Sequence, residues 1–212
     1  MTPWKAAFIV LSLLGLPAAH AAEPAFFEAT LFGGYRFGGE FKIPADPGDP
    51  DAKREQYKFK SGASFGVTLN LQQEEGAYYE LHYSRQDAEI KNTSAFDGAI
   101  EYLQIGGQLE LGDFGPRVLP YMALTLGATR FTPKDNTFDT EVEPSIGLGF
   151  GVKFPFSKNF GARVEARGYA TFVDSDSELF CVSADGKLTC AADIQGDAFV
   201  QGQALVGITF AF

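Results

Sequence analysis

Glu80, His82 and Ser84 stand at alternate positions of one stretch, so an extended backbone would carry all three on the same face. An acid, an imidazole and a hydroxyl are the parts of a nucleophilic hydrolase, in which the base takes the serine proton and the acid orients the base. The context argues against that chemistry. Ser84 and His82 are i, i+2 neighbours on a face expected to line a polar interior, away from a lipid substrate, and no Gly-x-Ser-x-Gly elbow surrounds Ser84. The expectation is a hydrogen-bonded histidine in a polar interior, with no catalytic residues and no enzyme activity. A second alternating set, Arg163, Glu165 and Arg167, places three charges on one strand face. The same polar face of other stretches carries Glu28, Arg36, Glu40, Lys58, Lys60, Glu80, Glu110 and Lys153. Charges that share an enclosed space must be paired, so these residues and His82 are expected to form one salt-bridged network.

Cys181 and Cys190 are the two cysteines. In an oxidising compartment a close pair of this kind predicts a disulfide, and with no histidine beside them zinc is not expected. Acidic residues recur between the patterned stretches: Asp46, Asp49, Asp51 and Glu55; Asp135, Asp139, Glu141 and Glu143; Asp174, Asp176, Glu178 and Asp185. They read as a solvated rim. Divalent-cation binding is the alternative, without any EF-hand spacing to support it. No phosphate loop, nucleotide fingerprint or zinc-protease motif occurs, so neither cofactor nor metal is expected.

The elements that must position these groups are strands. Hydrophobicity alternates with period two over about 27–41, 57–71, 77–85, 100–111, 118–130, 145–156, 160–172 and 200–212. In 145–156 the alternation is almost complete, with Ile146, Leu148, Phe150, Val152, Phe154 and Phe156 against Ser145, three glycines and Lys153. Connections alternate long, short, long, short, long, short, long, and the longest spans 173–198. The last strand ends on Phe212 and would be an exposed sheet edge unless it closed onto the first.

The start of the chain reads differently. Lys5, the apolar run Ala6 to Leu16 and the small-residue site ending at Ala21 form a secretory signal peptide, cleaved after Ala21 or one residue later. Residues 1–21 are therefore expected to be removed, leaving 22–212 as one domain in an oxidising space. The formal net charge of -10 becomes one unit more negative when Lys5 is lost. Such an acidic chain is a poor partner for nucleic acid. No later segment is apolar enough for a transmembrane helix, so any span must be made of strands.

One face of every strand is large and apolar, while the other mixes small polar residues with charge. A secreted lipocalin-like barrel would turn the apolar face inward, whereas a membrane barrel turns it outward. The leader, the loop asymmetry and the aromatics at strand ends favour the membrane. The whole pattern, with the ending Gly207-Ile208-Thr209-Phe210-Ala211-Phe212, resembles the small eight-stranded outer-membrane barrels of Gram-negative bacteria, the OmpA/OmpX/OmpW-type and opacity-protein-like group. The resemblance implies an all-β, up-and-down antiparallel transmembrane barrel of eight strands, with short periplasmic turns and long extracellular loops. It implies a home in the outer membrane among lipids and lipopolysaccharide. Escort by periplasmic chaperones and insertion by the barrel-assembly machinery are implied too, with Gly207, Phe210 and Phe212 as the assembly signal. It does not dictate an activity. The expected function is a structural or surface-interaction role carried by the loops, over a lumen filled with side chains. The alternative is a narrow channel for small solutes or ions.

Overall fold

The computed structural model describes residues 26–44, 54–89, 97–112, 118–134, 140–173, 181–184, 187–190 and 198–212. The expected leader over 1–21 lies outside them, as do most of the acidic loop residues. Among the described residues there are twelve strands: β1 (Phe27–Gly38), β2 (Glu40–Pro44), β3 (Arg54–Lys58), β4 (Gly62–Glu74), β5 (Ala77–Glu89), β6 (Asp97–Glu110), β7 (Leu119–Pro133), β8 (Glu141–Pro155), β9 (Phe160–Phe172), β10 (Cys181–Ala184), β11 (Lys187–Cys190) and β12 (Ala198–Ala211). Eight of them, β1, β4 to β9 and β12, close into one antiparallel barrel in which each strand pairs with its sequence neighbour and β12 pairs back onto β1. The other four form two separate hairpins, β2–β3 and β10–β11.

The seam is long. It pairs β1 with β12 from Glu28↔Ala211 to Gly38↔Gln201. Beyond the ladder, the Phe27 N–H reaches the Phe212 carbonyl at 3.2 Å and the Phe212 N–H reaches the Phe27 carbonyl at 2.8 Å. Gly207 is needed here: a Cβ at this position would lie 2.7 Å from the Thr30 Cγ2 and 2.8 Å from the Leu31 carbonyl oxygen. Closure leaves no unpaired edge, the problem that an apolar terminal strand otherwise poses.

Burial is inverted relative to a soluble barrel. Leu31, Ile105, Leu126, Val164 and Val206 point outward and are exposed, while Thr68, Gln104, Thr125, Thr171 and Gln203 point inward and are buried. An outside of this kind needs an apolar solvent, which is lipid. The aromatics Phe156, Phe160, Phe210 and Phe212 cluster near the short-turn end, with Phe160 edge-on to Phe210 at 5.7 Å. They stand where an interfacial girdle belongs.

Several strands run further than periodicity suggests. β5 continues to Glu89, β6 starts at Asp97, and β7 and β8 extend to Pro133 and from Glu141. Glu141 and Glu143, expected in a loop, are therefore strand residues. The first long connection also contains structure, the β2–β3 hairpin, which pairs Glu40↔Lys58 through Pro44↔Arg54. It departs from the barrel at Gly38 and Gly39, both at φ 85. That left-handed conformation is strained for any residue with a Cβ. It breaks the alternation of β1 and re-aims everything after it.

The β10–β11 hairpin places Cys181 opposite Cys190 in register. Antiparallel partners sit about 4.5–5.5 Å apart between Cα atoms, inside the range a disulfide spans. Denatured, unreduced protein from the periplasm or outer membrane should therefore carry no thiol that reacts with maleimide. Two titratable thiols per chain would contradict the disulfide expected from the sequence.

Candidate functional site

The inward side chains of the eight strands form the candidate site, and they are arranged in layers along the axis. At the short-turn end Lys153 of β8 lies between two carboxylates, 2.8 Å from Glu28 and 3.4 Å from Glu110, with its ammonium 4.0 Å from the centre of the Tyr78 ring. A cavity of about 170 Å³ opens here, lined by Glu28, Tyr78, Glu110, Lys153 and the apolar Phe154 and Phe160 among others.

The next layer is a closed ring of charge. Glu165 of β9 accepts hydrogen bonds from both of its strand neighbours, Arg163 and Arg167. Arg167 also donates to Glu80 of β5 at 2.6 Å, and Arg163 lies 3.7 Å from the same carboxylate. Tyr121 donates to Glu165 at 2.5 Å and accepts from Arg163 at 2.9 Å, while Arg163 adds a long bond to Asn70 at 3.4 Å. All four charged side chains are at most 2 % exposed. Two arginines against two glutamates cancel in charge. The multiple hydrogen bonds are what make such a buried set tolerable, because desolvation of unpaired ions would cost several kcal/mol each.

β8 makes room for this ring. Its inward positions run Ser145, Gly147, Gly149, Gly151, Lys153, and a Cβ on Gly149 would lie 2.8 Å from Glu165 and 3.2 Å from Arg167. Gly149 is therefore the flat wall against which the β9 charges lie, while Gly147 makes room for Gln104 and Thr125 and Gly151 for Tyr121.

Above it His82 is fully buried. Its Nδ1 is 2.9 Å from the Thr68 hydroxyl, its Nε2 is 2.9 Å from the Tyr169 hydroxyl, and Phe32 stacks on the ring at 5.2 Å. Ser84 does not touch it. The Ser84 hydroxyl instead receives a hydrogen bond from Arg36 at 2.5 Å and donates to Gln203 at 3.2 Å. Glu80 is committed to the arginines. The three residues of the possible triad thus serve three different sets of partners, and no nucleophile–base pair forms among them. Arg36 is held by neutral groups, the Ile100 carbonyl at 3.1 Å, Ser84, and the faces of Tyr102 and Tyr169 at 4.7 and 5.5 Å. Those two rings stack on each other at 3.9 Å.

The outer end is aromatic. Phe59, Phe131 and Phe199 are buried inside it, with Phe199 edge-on to Phe59 at 5.6 Å and to Phe131 at 5.5 Å. Beside them lies a cavity of about 410 Å³ lined by Gly38, Gly39, Glu40, Lys58, Phe59, Ser61, Ala198 and Val200.

Nine of the twelve residues expected in the network are brought to the lumen: Glu28, Arg36, Glu80, His82, Glu110, Lys153, Arg163, Glu165 and Arg167. Glu40, Lys58 and Lys60 are not. Lys58 pairs with Glu40 at 3.4 Å and Lys60 with Glu89 at 2.6 Å, all about half exposed. The physical reason is the loss of phase at Gly38–Gly39 and again at Lys60–Ser61, where pairing with the barrel wall is interrupted. The same slip turns Phe59 inward, opposite to its expected direction. The aromatic cap was invisible to periodicity because Phe131 stands beyond the apparent end of its strand. The lumen tyrosines Tyr102, Tyr121 and Tyr169 sit on the polar parity, which is the signal that finds them.

The outer membrane protein beta-barrel domain model matches residues 7–199 of the chain. Among solved structures the barrel is similar to Neisserial surface protein A, at 12 % identity and a TM-score of 0.58, over 90 % of this chain and 100 % of that one. It is similar to OprG from Pseudomonas aeruginosa at 10 % identity and a TM-score of 0.58, over 89 % and 96 % of the two chains. AlkL, solved in lipid bilayers, matches at 11 % identity and a TM-score of 0.53, over 93 % and 95 %. At such identities the likeness is one of fold. No curated protein sequence matches the chain.

Proposed function

The chain belongs to the outer membrane protein β-barrel domain family and resides in the outer membrane, and on that premise we propose that it acts through its outer surface, as a structural or surface-interaction protein whose lumen is a plug. The observation that carries this reading is the Arg163–Glu165–Arg167–Glu80 ring, which crosses the barrel from β9 to β5 with every charge matched. An eight-stranded barrel has an interior only just wide enough for side chains, and these fill it. A lumen so plugged would leave the long connections to do the work. No catalytic step and no cofactor enter the reading. Its partners are outer-membrane lipids, lipopolysaccharide among them, and an unidentified loop ligand. Periplasmic chaperones and the barrel-assembly machinery would act on it in transit.

The reading requires the long connections to face the cell exterior. An epitope inserted between β10 and β11 should be stained on intact cells. The same epitope at Ser157 should be stained only after the outer membrane is opened. Staining of the second but not the first on intact cells would end the surface-interaction reading.

One observation favours the second reading, a narrow channel for small solutes. The outer cavity is lined both by inward Phe59 and by outward Val200, so it touches the inside and the outside of the wall.

A further inference from the structure

The outside of the barrel is apolar nearly everywhere, and the exceptions are concentrated. In the half of the barrel nearer the long connections, the outward-facing charges include Arg85, Asp87 and Glu89 on β5, Glu101 on β6 and Arg130 on β7. Elsewhere on that half the outward positions stay apolar to the strand ends, with Phe37, Phe172, Val142 and Val200 all exposed. One side of the wall therefore has a shorter apolar band than the other.

Arg85, Glu101 and Arg130 are direct register partners across three adjacent strands. Glu101 faces outward yet its side chain is only 5 % exposed, because the neighbouring groups cover it. Arg130 engages it through Nε at 2.7 Å and Nη2 at 2.5 Å, Arg85 through Nη1 at 3.4 Å, and Tyr83 donates its hydroxyl at 2.6 Å. The two arginine side chains remain 38 % and 53 % exposed. Glu101 thus acts as a pedestal that fixes two arginines side by side while leaving much of each facing out.

The position matters as much as the charge. The ladder one step nearer the membrane centre is Tyr83, Leu103 and Ala128, and the next is Leu81, Ile105 and Leu126. Acyl chains cover those rungs, so the headgroups of the same lipids arrive at the arginine rung. Asp87, 3.4 Å from Arg85, lies on the far side, one step toward water. A group approaching from the lipid meets guanidinium first. Paired guanidinium groups match the oxygens of a phosphate ester, and they do so through charge-assisted hydrogen bonds in a region drier than bulk water.

We propose that Arg85 and Arg130, held by Glu101, form a binding site for the phosphate of a lipid headgroup in the outer leaflet. The site localises the lipid contact invoked above and rests on that reading. Free phosphate offers the same acceptor oxygens, but it would gain nothing from the apolar rungs beneath, so a lipid is the ligand.

The test uses the full mature chain, folded in detergent and checked by heat-dependent gel mobility, with native mass spectrometry counting bound lipid. Bisphosphorylated lipid A should be retained roughly tenfold more than its dephosphorylated form by the native chain. The double variant Arg85→Gln/Arg130→Gln should lose that preference, and Lys60→Gln should keep it. Millimolar inorganic phosphate should not displace the lipid. Equal retention of the two lipids by the native chain would overturn the site, and so would an unchanged preference in the double variant or displacement by free phosphate. The lipid comparison on the native chain stands even if the variant fails to fold. A chain that does not insert into liposomes at all would sink the outer-membrane reading, whereas one that inserts without preference sinks only this site.

Discussion

Replacing Arg167 with methionine should destabilise the folded barrel by about 3–5 kcal/mol, the usual cost of removing one partner from a buried ion pair. Arg167 lies between Glu165 and Glu80, donates to both, and is at most 2 % exposed. Methionine fills much of the same volume, so packing changes little. What changes is the charge: two buried carboxylates would share Arg163 alone, and Arg163 is 3.7 Å from Glu80. The lumen walls offer little water to solvate the excess charge. Urea unfolding in micelles followed by far-UV circular dichroism should show the loss directly. Lys60→Met is the matched comparison, because its bond to Glu89 at 2.6 Å is half exposed. That change should cost less than about 1 kcal/mol. The double variant Glu165→Gln/Arg167→Met restores the balance of charge and should lose less than the sum of its parts, since the two side chains touch. Equal, small effects of Arg167→Met and Lys60→Met would mean that the ring is not a unit.

Deletion of Phe212 has the other large expected effect, and here the effect lies in assembly rather than in stability. Phe212 is 72 % exposed, so its ring buries little, and its contact with Phe27 is a loose one at 6.4 Å. Its backbone adds two hydrogen bonds to a seam that already has a long ladder. The truncated protein, once refolded in detergent, should therefore unfold within about 2 kcal/mol of the full chain, as expected when each of the two lost hydrogen bonds is worth roughly 1 kcal/mol net. In cells its level in the outer membrane should fall several-fold, because the terminal aromatic is proposed to be what the assembly machinery reads. Quantifying heat-modifiable protein in isolated outer membranes separates the two. Normal levels of the truncation would remove Phe212 from the assembly signal.

Alternation made the barrel legible because lipid and lumen impose opposite demands on successive residues. β8, β9 and β12 keep that alternation without interruption, and their outward and inward faces fall as their residue types suggest. The pattern fades where a strand rises out of the membrane, since the outside is then wet and both faces admit polar groups. That is why Glu141, Glu143 and the ends of β5 and β6 read as loop. It fails where the backbone leaves the pleat, as at Gly38 and Gly39, so Glu40, Lys58 and Lys60 took a direction from the wrong side of a break. Within the lumen, Arg163, Glu165 and Arg167 announce themselves by spacing. Their partners Glu80 and Tyr121 come from strands far away in sequence, and only closure of the barrel brings them together. The outward Arg85, Glu101 and Arg130 were hidden for a further reason. Each looks like an isolated exception on an otherwise apolar face, and they become a cluster only through the register of β5, β6 and β7.

The plug itself is tested most directly by conductance. The mature chain, refolded and shown by heat-dependent mobility to be a closed barrel, is inserted into planar bilayers and the current recorded. A lumen crossed by the matched Arg163–Glu165–Arg167–Glu80 ring and roofed by Phe59, Phe131 and Phe199 predicts insertion without any sustained open level. Long-lived, uniform open channels from the same preparation would contradict it.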